Sequence, residues 1–198
     1  MASPMLALPA GDARPAAEAR RGILPLGASV AGASILMIMG GLVGAYLAVK
    51  SATDEWPPAD TNFDNYTATT IALTVVMAMV TAEWAAYAVR KEFRGQALFA
   101  FALTALLAAA HLNGLAYLIN GFEFAVGDSA YALLVHALTI VPFAVGVTGV
   151  AGIVFVGLRA VGHQLGAANY GLVRAAANLW HVAAIAWVIA YYTVYITK

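Results

Sequence analysis

The sequence predicts an all-α, polytopic membrane protein: a bundle of five transmembrane helices with the N-terminus inside and the C-terminus outside. Of the 198 residues, 63% are hydrophobic and only 10% are charged. That is more apolar surface than a soluble domain of this length can bury. The apolar residues also form continuous stretches without alternation, and a membrane admits only helices or closed barrels.

Each apolar stretch exceeds the roughly 20 residues needed to cross the hydrocarbon core. The five predicted spans are 24–50, 67–90, 95–121, 129–158 and 170–197. Because their connections are short, consecutive helices are expected to be antiparallel neighbours in one membrane domain, 24–198. Residues 1–23 are rich in alanine and proline and carry charges ahead of the first span, which is unlike a signal peptide. They are interpreted as a flexible cytoplasmic tail.

The basic residues predict the orientation. With the N-terminus inside, eight of the ten basic residues fall on the inner side. These inner residues are Arg14, Arg20, Arg21, Arg90, Lys91, Arg94, Arg159 and Arg174, and the outer ones are Lys50 and Lys198. An excess of lysine and arginine marks the cytoplasmic side, which in a bacterium is the inner face of the cell (inner) membrane.

Composition also limits the chemistry of the chain. It has no cysteine, so disulfides, thiolate nucleophiles and iron–sulfur clusters are excluded. Its formal net charge is zero and no basic stripe is present, which argues against a nucleic-acid partner. No phosphate-binding loop, zinc-protease motif or catalytic triad is visible, so no catalytic residue is assigned and a non-catalytic role is predicted.

The last span carries a polar pair in apolar surroundings. Asn178 and His181 are three residues apart and therefore share one helix face, next to Trp180. A polar pair inside a membrane needs groups that receive it. We therefore predict that this face meets a partner surface, formed by protein or lipid.

Glu83 is the one carboxylate that the sequence places inside a span. Tyr87 and Arg90 follow one and two turns later on the same helix face. One interpretation is a proton-relay or lipid-headgroup site, since intramembrane carboxylates are often functional. The favoured alternative is a carboxylate that reaches toward the interface and Arg90, or that pairs across a contact with another subunit.

Three histidines lie within apolar stretches: His111, His136 and His181. His111 and His136 have similar predicted depths, so together they are candidate ligands of a haem b, with Tyr117 nearby for a haem- or quinone-binding electron carrier. A histidine hydrogen-bonded within the bundle is the favoured interpretation for each. No other cofactor or metal site is predicted in this chain.

Small residues predict where helices touch. Gly40, Gly41 and Gly44 include a Gly-x-x-x-Gly pair in the first span. A second set, Gly146, Gly149 and Gly152, follows Pro142 in the fourth span. Glycine lets two backbones approach closely in lipid, so both sets are candidate helix or subunit interfaces. The proline is expected to kink the helix or to be tolerated within it.

Several motifs in this order resemble subunit III of haem–copper respiratory oxidases (cytochrome c oxidase subunit 3), in its short five-helix form. The likeness covers about residues 24–198. The motifs are Leu36-Met37, Gly41, Tyr46, Trp56-Pro57-Pro58, Ser129-Ala130-Tyr131, Thr139, Trp180-His181 and the tyrosine-rich end of the last span. Other positions that are polar in the family are apolar here: Ile35, Leu112, Leu115, Pro142, Val145 and Ala184.

The resemblance implies a structural, lipid-binding subunit that supports the catalytic subunit of an aerobic electron-transport complex. Its expected partners are oxidase subunit I, together with subunit II, and phospholipids, while haem and copper are expected in the partner subunit. Because the family's polar positions are largely absent, a subunit III-like component of a nitric oxide reductase is an alternative. The small haem b- or quinone-binding electron carrier is the other.

Overall fold

The computed structural model describes residues 13–58, 61, 63–166 and 169–197, with side chains described from Ile23 onward. Within these ranges the chain is helical, with no strand. The helices are α1 (Ala13–Ser51), α2 (Asn65–Arg90), α3 (Arg94–Asn120), α4 (Ala130–Val161) and α5 (Tyr170–Tyr191), and a π-helical turn (Tyr192–Ile196) extends α5.

Five helical segments are long and apolar enough to cross a membrane. They are Ile23–Ser51, Asn65–Arg90, Arg94–Asn120, Ala130–Val161 and Tyr170–Ile196. The predicted spans agree with them to within a few residues, because length and apolarity are local properties of the chain. The described chain is therefore that of an all-helical, multi-pass membrane protein.

Helix α1 extends beyond its membrane span at the N-terminal side. It begins at Ala13, so part of the predicted tail, residues 13–23, is helical. Residues 1–12 lie outside the described residues, and so do the side chains of Arg14, Arg20 and Arg21.

Two helices start at side-chain caps that the sequence places just before an apolar run. The Asp64 carboxylate accepts a hydrogen bond from the Thr67 backbone N–H at 2.9 Å, ahead of α2. The Ser129 hydroxyl oxygen accepts one from the Ala132 N–H at 3.0 Å, ahead of α4. Each cap satisfies a backbone donor that the first helical turn leaves unpaired.

Helix α5 is the centre of the bundle. It packs against α1, α2 and α4, whereas α3 packs against α2 and α4. Of the most apolar window of α5, 56% is buried by the other helices, compared with 17% for α1. The α5 core includes Trp180 and Trp187, both fully buried. Helix α5 therefore brings the polar face of the last span to its contacts with α1 and α2.

The predicted glycine contacts hold in α4 and not in α1. A Cβ at Gly149 would lie 3.2 Å from the Trp180 Cα, and one at Gly152 would lie 3.5 Å from the Ala176 Cβ. Both glycines bring α4 close to α5. Helix α4 continues through the buried Pro142 without interruption.

In α1, Gly40, Gly41 and Gly44 are exposed, and a Cβ there would meet nothing within 4 Å. The close approach of α1 is instead at Gly32, where a Cβ would lie 2.5 Å from a Val182 methyl carbon of α5. The Gly40–Gly44 set therefore makes no helix contact among the described residues, and its alternative role at a subunit interface stays a prediction. The reason is the rotation of α1, which turns this set outward.

Candidate functional site

An ion pair joins α2 to α5 within the membrane-spanning part of the bundle. Both carboxylate oxygens of Glu83 lie 2.7 Å from the Nη1 atom of Arg174. Arg174 is in the first turns of α5, and the antiparallel course of α2 and α5 brings these two side chains to the same level. A charged pair satisfies both groups where water is scarce.

His181 extends this pair along α5. Its Nε2 atom is 3.5 Å from Oε1 of Glu83, and its Nδ1 atom is 2.6 Å from the Ala177 carbonyl oxygen. When Nδ1–H donates to that carbonyl, Nε2 is the nitrogen left facing the carboxylate. Glu83 therefore has two basic neighbours on one face of α5.

Asn178 occupies the same face of α5 and binds α1. Its amide Nδ2 donates to the Ser29 hydroxyl at 3.1 Å. Arg174, Asn178 and His181 are spaced four and three residues apart, which aligns them on one helix face. We call the five residues Ser29, Glu83, Arg174, Asn178 and His181 the Glu83 cluster; it ties α1 and α2 to α5.

The Glu83 cluster is open on the outside of the bundle. The Glu83 side chain is 47% exposed and that of Arg174 is 36% exposed, whereas that of His181 is 17% exposed. Charged groups at this depth are not stable against bare hydrocarbon. Lipid headgroups, a second protein or water must therefore cover this face.

The structure corrects the predicted neighbour of Glu83. The carboxylate pairs with Arg174 instead of Arg90, and the pair lies within this chain. Arg90 is seven residues along α2, about 10 Å at 1.5 Å per residue, while Arg174 is level with Glu83 on the adjacent helix. Tyr87 and Arg90 are exposed on the surface of α2.

Sequence reasoning missed two members of the cluster, Arg174 and Ser29. In the sequence-based prediction Arg174 is only a charge on the inner side of the membrane, although its spacing to Asn178 and His181 is the signal that places it on their face. Ser29 carries no such signal, because single serines are common where membrane helices meet.

His111 is enclosed by the aromatic residues of α5. It is fully buried, and its ring centroid lies 5.8 Å from that of Trp180 and 6.3 Å from that of Trp187. Neither ring nitrogen is within hydrogen-bonding distance and geometry of a described partner. Two indole rings, each steeply inclined to the imidazole plane, therefore occupy the space beside His111.

His136 has different surroundings from His111. Its Nδ1 atom is 2.8 Å from the Ala132 carbonyl oxygen, and its ring contacts Phe122 and Phe124 of the α3–α4 loop at 5.0 and 5.5 Å between centroids. The two histidines therefore contact separate aromatic groups. Tyr117 is 62% exposed near the end of α3.

No known family model matches this chain, and no curated protein matches it significantly. The residues that carry the resemblance can still be located in the fold. The Trp56 indole N–H donates to the Tyr46 hydroxyl at 3.1 Å, and the Trp56 ring packs edge-on against Tyr131 at 4.7 Å. Three motif residues that are far apart in sequence thus form one aromatic cluster.

We refer to the side of the bundle that holds this aromatic cluster as the C-terminal end, because α5 finishes there. It also holds the start of α2 and the α3–α4 loop. Hydrogen bonds from the Thr67 hydroxyl and the Thr67 N–H hold the pKa of the Asp64 carboxyl below its usual range. Asp64 therefore carries a negative charge at this end at neutral pH.

Proposed function

We propose that this chain is a non-catalytic, lipid-embedded subunit III-type component of a haem–copper oxidase complex. In this role it supports the catalytic subunit and holds phospholipid. The haem and copper belong to the catalytic partner, subunit I, which acts together with subunit II. The chain contributes packing surface and a covered polar face to the assembly.

The observation that carries the proposal is the position of the motif residues. Tyr46, Trp56 and Tyr131 pack on one another at the C-terminal end, and Trp180 is fully buried against α4. These four motif residues thus occupy the core and its contacts, whereas Met37 and Gly41 of the same motifs are exposed on α1. Residues that related helix bundles share are expected at such packing contacts.

Helix α1 supplies the proposed docking surface for the catalytic subunit. It is the least buried span, and Met37, Ile38 and Leu47 are about half exposed or more beside Gly40 and Gly44. Small residues flanked by long apolar ones let another membrane helix approach closely. Phospholipid and the partner together cover the open side of the Glu83 cluster.

The proposal places the N-terminus inside and the C-terminus outside a bacterial inner membrane. Arg90, Lys91, Arg94, Arg159 and Arg174 lie at the opposite side of the bundle from the C-terminal end, which supports this orientation. Because the chain has no cysteine, single cysteines report topology directly. In intact cells a membrane-impermeant thiol reagent should label Ser51→Cys, and should label Gly95→Cys only after lysis. The reverse pattern would refute the orientation.

Co-purification tests the proposal. A tagged chain is extracted from native membranes in mild detergent, and the large subunit that accompanies it is identified together with its optical spectrum. We expect a larger membrane protein whose spectrum shows haem and whose metal analysis shows copper. A partner with haem and non-haem iron in place of copper would favour the nitric oxide reductase alternative. Recovery of the chain alone would refute both.

One observation favours a second candidate, a small haem b- or quinone-binding electron carrier. His111 is fully buried and makes no hydrogen bond of good geometry with a described group, although the Ile71 backbone lies close to its ring; this is an unusual state for a buried polar side chain. The isolated chain distinguishes the two candidates. A Soret band that persists without partners and disappears in His111→Ala or His136→Ala would support the carrier and contradict the leading proposal.

A further inference from the structure

A cavity of about 350 Å³ lies at the C-terminal end, between the start of α2, the end of α3 and the end of α5. Its lining includes two carboxylates, Asp64 and Glu123, and no basic side chain among the described residues. Four aromatic rings also line it: Phe63, Tyr117, Phe122 and Tyr195. This volume falls within the range of small-molecule sites and is far more than a bare metal ion needs.

The charge of the cavity favours a cation. The pKa of Asp64 is lowered by its hydrogen bonds to Thr67, so its charge persists at neutral pH. Glu123 is exposed and makes no hydrogen bond or ion pair with another described residue. The C-terminal end of α3, where carbonyl groups give a negative potential, reaches the cavity at Leu118 and Gly121.

Three of the four aromatic walls, Phe63, Phe122 and Tyr195, are held in place by ring contacts. The Tyr195 ring meets Phe63 edge-on at 5.1 Å, and Phe122 stacks on Phe124 at 5.3 Å. Tyr195 is only 4% exposed, and its hydroxyl has no hydrogen-bond partner in the part of the chain that the structure describes. A buried hydroxyl of this kind usually has a partner, so a polar ligand beside it is a reasonable complement.

We infer that this cavity binds an organic ammonium group, either a primary amine or a quaternary ammonium. Aromatic faces attract such cations, most strongly when a carboxylate balances the charge. Among the described residues no cluster of three or more metal-ligand side chains exists here or elsewhere, so two carboxylates among four rings suit an organic cation better than a metal. The inference does not rest on the proposed function, because it concerns neither the Glu83 cluster nor the host complex.

The ammonium group can come from a zwitterionic lipid headgroup or from a free amine in the aqueous phase. Both sources are accessible, because the cavity is level with the ends of three membrane-spanning helices. The first test uses the full chain in detergent. Its melting temperature is followed against choline and against 3,3-dimethyl-1-butanol, which has the same shape without the charge.

The first comparison separates charge recognition from apolar filling. Choline should raise the melting temperature, since a ligand that binds only the folded state stabilises it, and the neutral analogue should not. Glu123→Gln should weaken choline binding by about tenfold, because it removes a charged partner. Glu55→Gln, an exposed carboxylate outside the cavity lining, is the matched control and should bind choline normally.

The second comparison identifies the source. Full-length chain is taken from nanodiscs of phosphatidylethanolamine, phosphatidylcholine or phosphatidylglycerol and analysed by native mass spectrometry. A headgroup site is identified if the chain retains the two lipids with ammonium headgroups, phosphatidylethanolamine and phosphatidylcholine, in preference to phosphatidylglycerol. This preference should be lost in Glu123→Gln and kept in Glu55→Gln. Choline binding without lipid preference identifies a free amine as the ligand.

Two outcomes overturn the inference. One is equal binding of choline and its neutral analogue, without any preference for lipids that have an ammonium headgroup. The other is a Glu123→Gln chain that behaves like the parent in both comparisons. Circular dichroism and gel filtration of each variant establish that it is folded, so loss of binding is not loss of structure.

Discussion

The carboxylate of Glu83 in α2 presents both oxygens, each at 2.7 Å, to a single nitrogen of Arg174 in α5. The pair joins two residues that are 91 positions apart in sequence, in helices that have no loop in common. It also gives each charge a partner at a depth where neither would be stable alone.

We expect Glu83 and Arg174 to be energetically coupled. Replacing either one leaves the other charge without its partner, whereas replacing both leaves no unpaired charge. A double-mutant cycle with Glu83→Gln and Arg174→Gln, measured as free energy of unfolding in mixed micelles, should give a coupling on the order of 1 kcal/mol or more. Both side chains are partly exposed, so we expect the coupling energy to be smaller than that of a fully buried ion pair.

Arg90 provides the control for that cycle. It is on the same helix as Glu83 and is exposed without an ion pair to Glu83. A cycle with Glu83→Gln and Arg90→Gln should therefore show no coupling beyond the error of additive mutations. Coupling to Arg90 equal to that of Arg174 would contradict the observed pairing.

His181→Leu should weaken retention of the partner subunit more than it slows electron transfer by the assembled complex. The substitution removes one neighbour of Glu83 on the open face and leaves the buried Trp180 in place. The partner-to-chain ratio after purification is compared with turnover per haem. His163→Asn, at an exposed loop position with φ of 58° that asparagine tolerates, is the control. Turnover falling while retention is unchanged would refute the prediction.

Replacing a glycine by leucine should lower the stability of the chain in α4 but not in α1. Gly149→Leu forces α4 away from the Trp180 backbone and should destabilise the chain by about 1–3 kcal/mol. A Cβ at Gly44 would meet no described group within 4 Å, so in Gly44→Leu the melting temperature of the isolated chain should hold or rise slightly with helix propensity.

The same Gly44→Leu chain tests the docking surface on α1. If another membrane helix packs there, the added side chain should reduce co-purification of the partner while the isolated chain remains folded. Thermal melting of the chain alone and recovery of the partner are therefore measured together. Full recovery of the partner would exclude this part of α1 as the contact.

The cap of α2 should weaken in acid. The Asp64 pKa is lowered in the folded chain by the Thr67 hydrogen bonds, so its contribution is present above the usual carboxyl range and is lost as pH falls through the lowered value. Hydrogen exchange at the Thr67 amide should be faster in Asp64→Ala than in the parent near neutral pH. That difference should shrink below about pH 4. A difference that is independent of pH would show that the carboxylate charge is not responsible.

The sequence by itself determined the five spans, their helical nature and the polar face of α5 that carries Asn178 and His181. These features depend on length, apolarity and spacing along one helix, which are local and can be counted. The sequence also predicted the contacts of the three α4 glycines. Their three-residue spacing places them near one face of the helix, and that face packs against neighbouring helices.

Only the tertiary structure decided which faces meet. Glu83 pairs with Arg174 instead of Arg90. Gly40 and Gly44 face outward, and Gly32 makes the contact of α1 with α5. His111 and His136 have separate aromatic neighbours. The physical reason is that helices apolar on every side carry no strong signal of their rotation or lateral order. Those are set by close packing among all five helices together, and no single stretch of sequence contains that information.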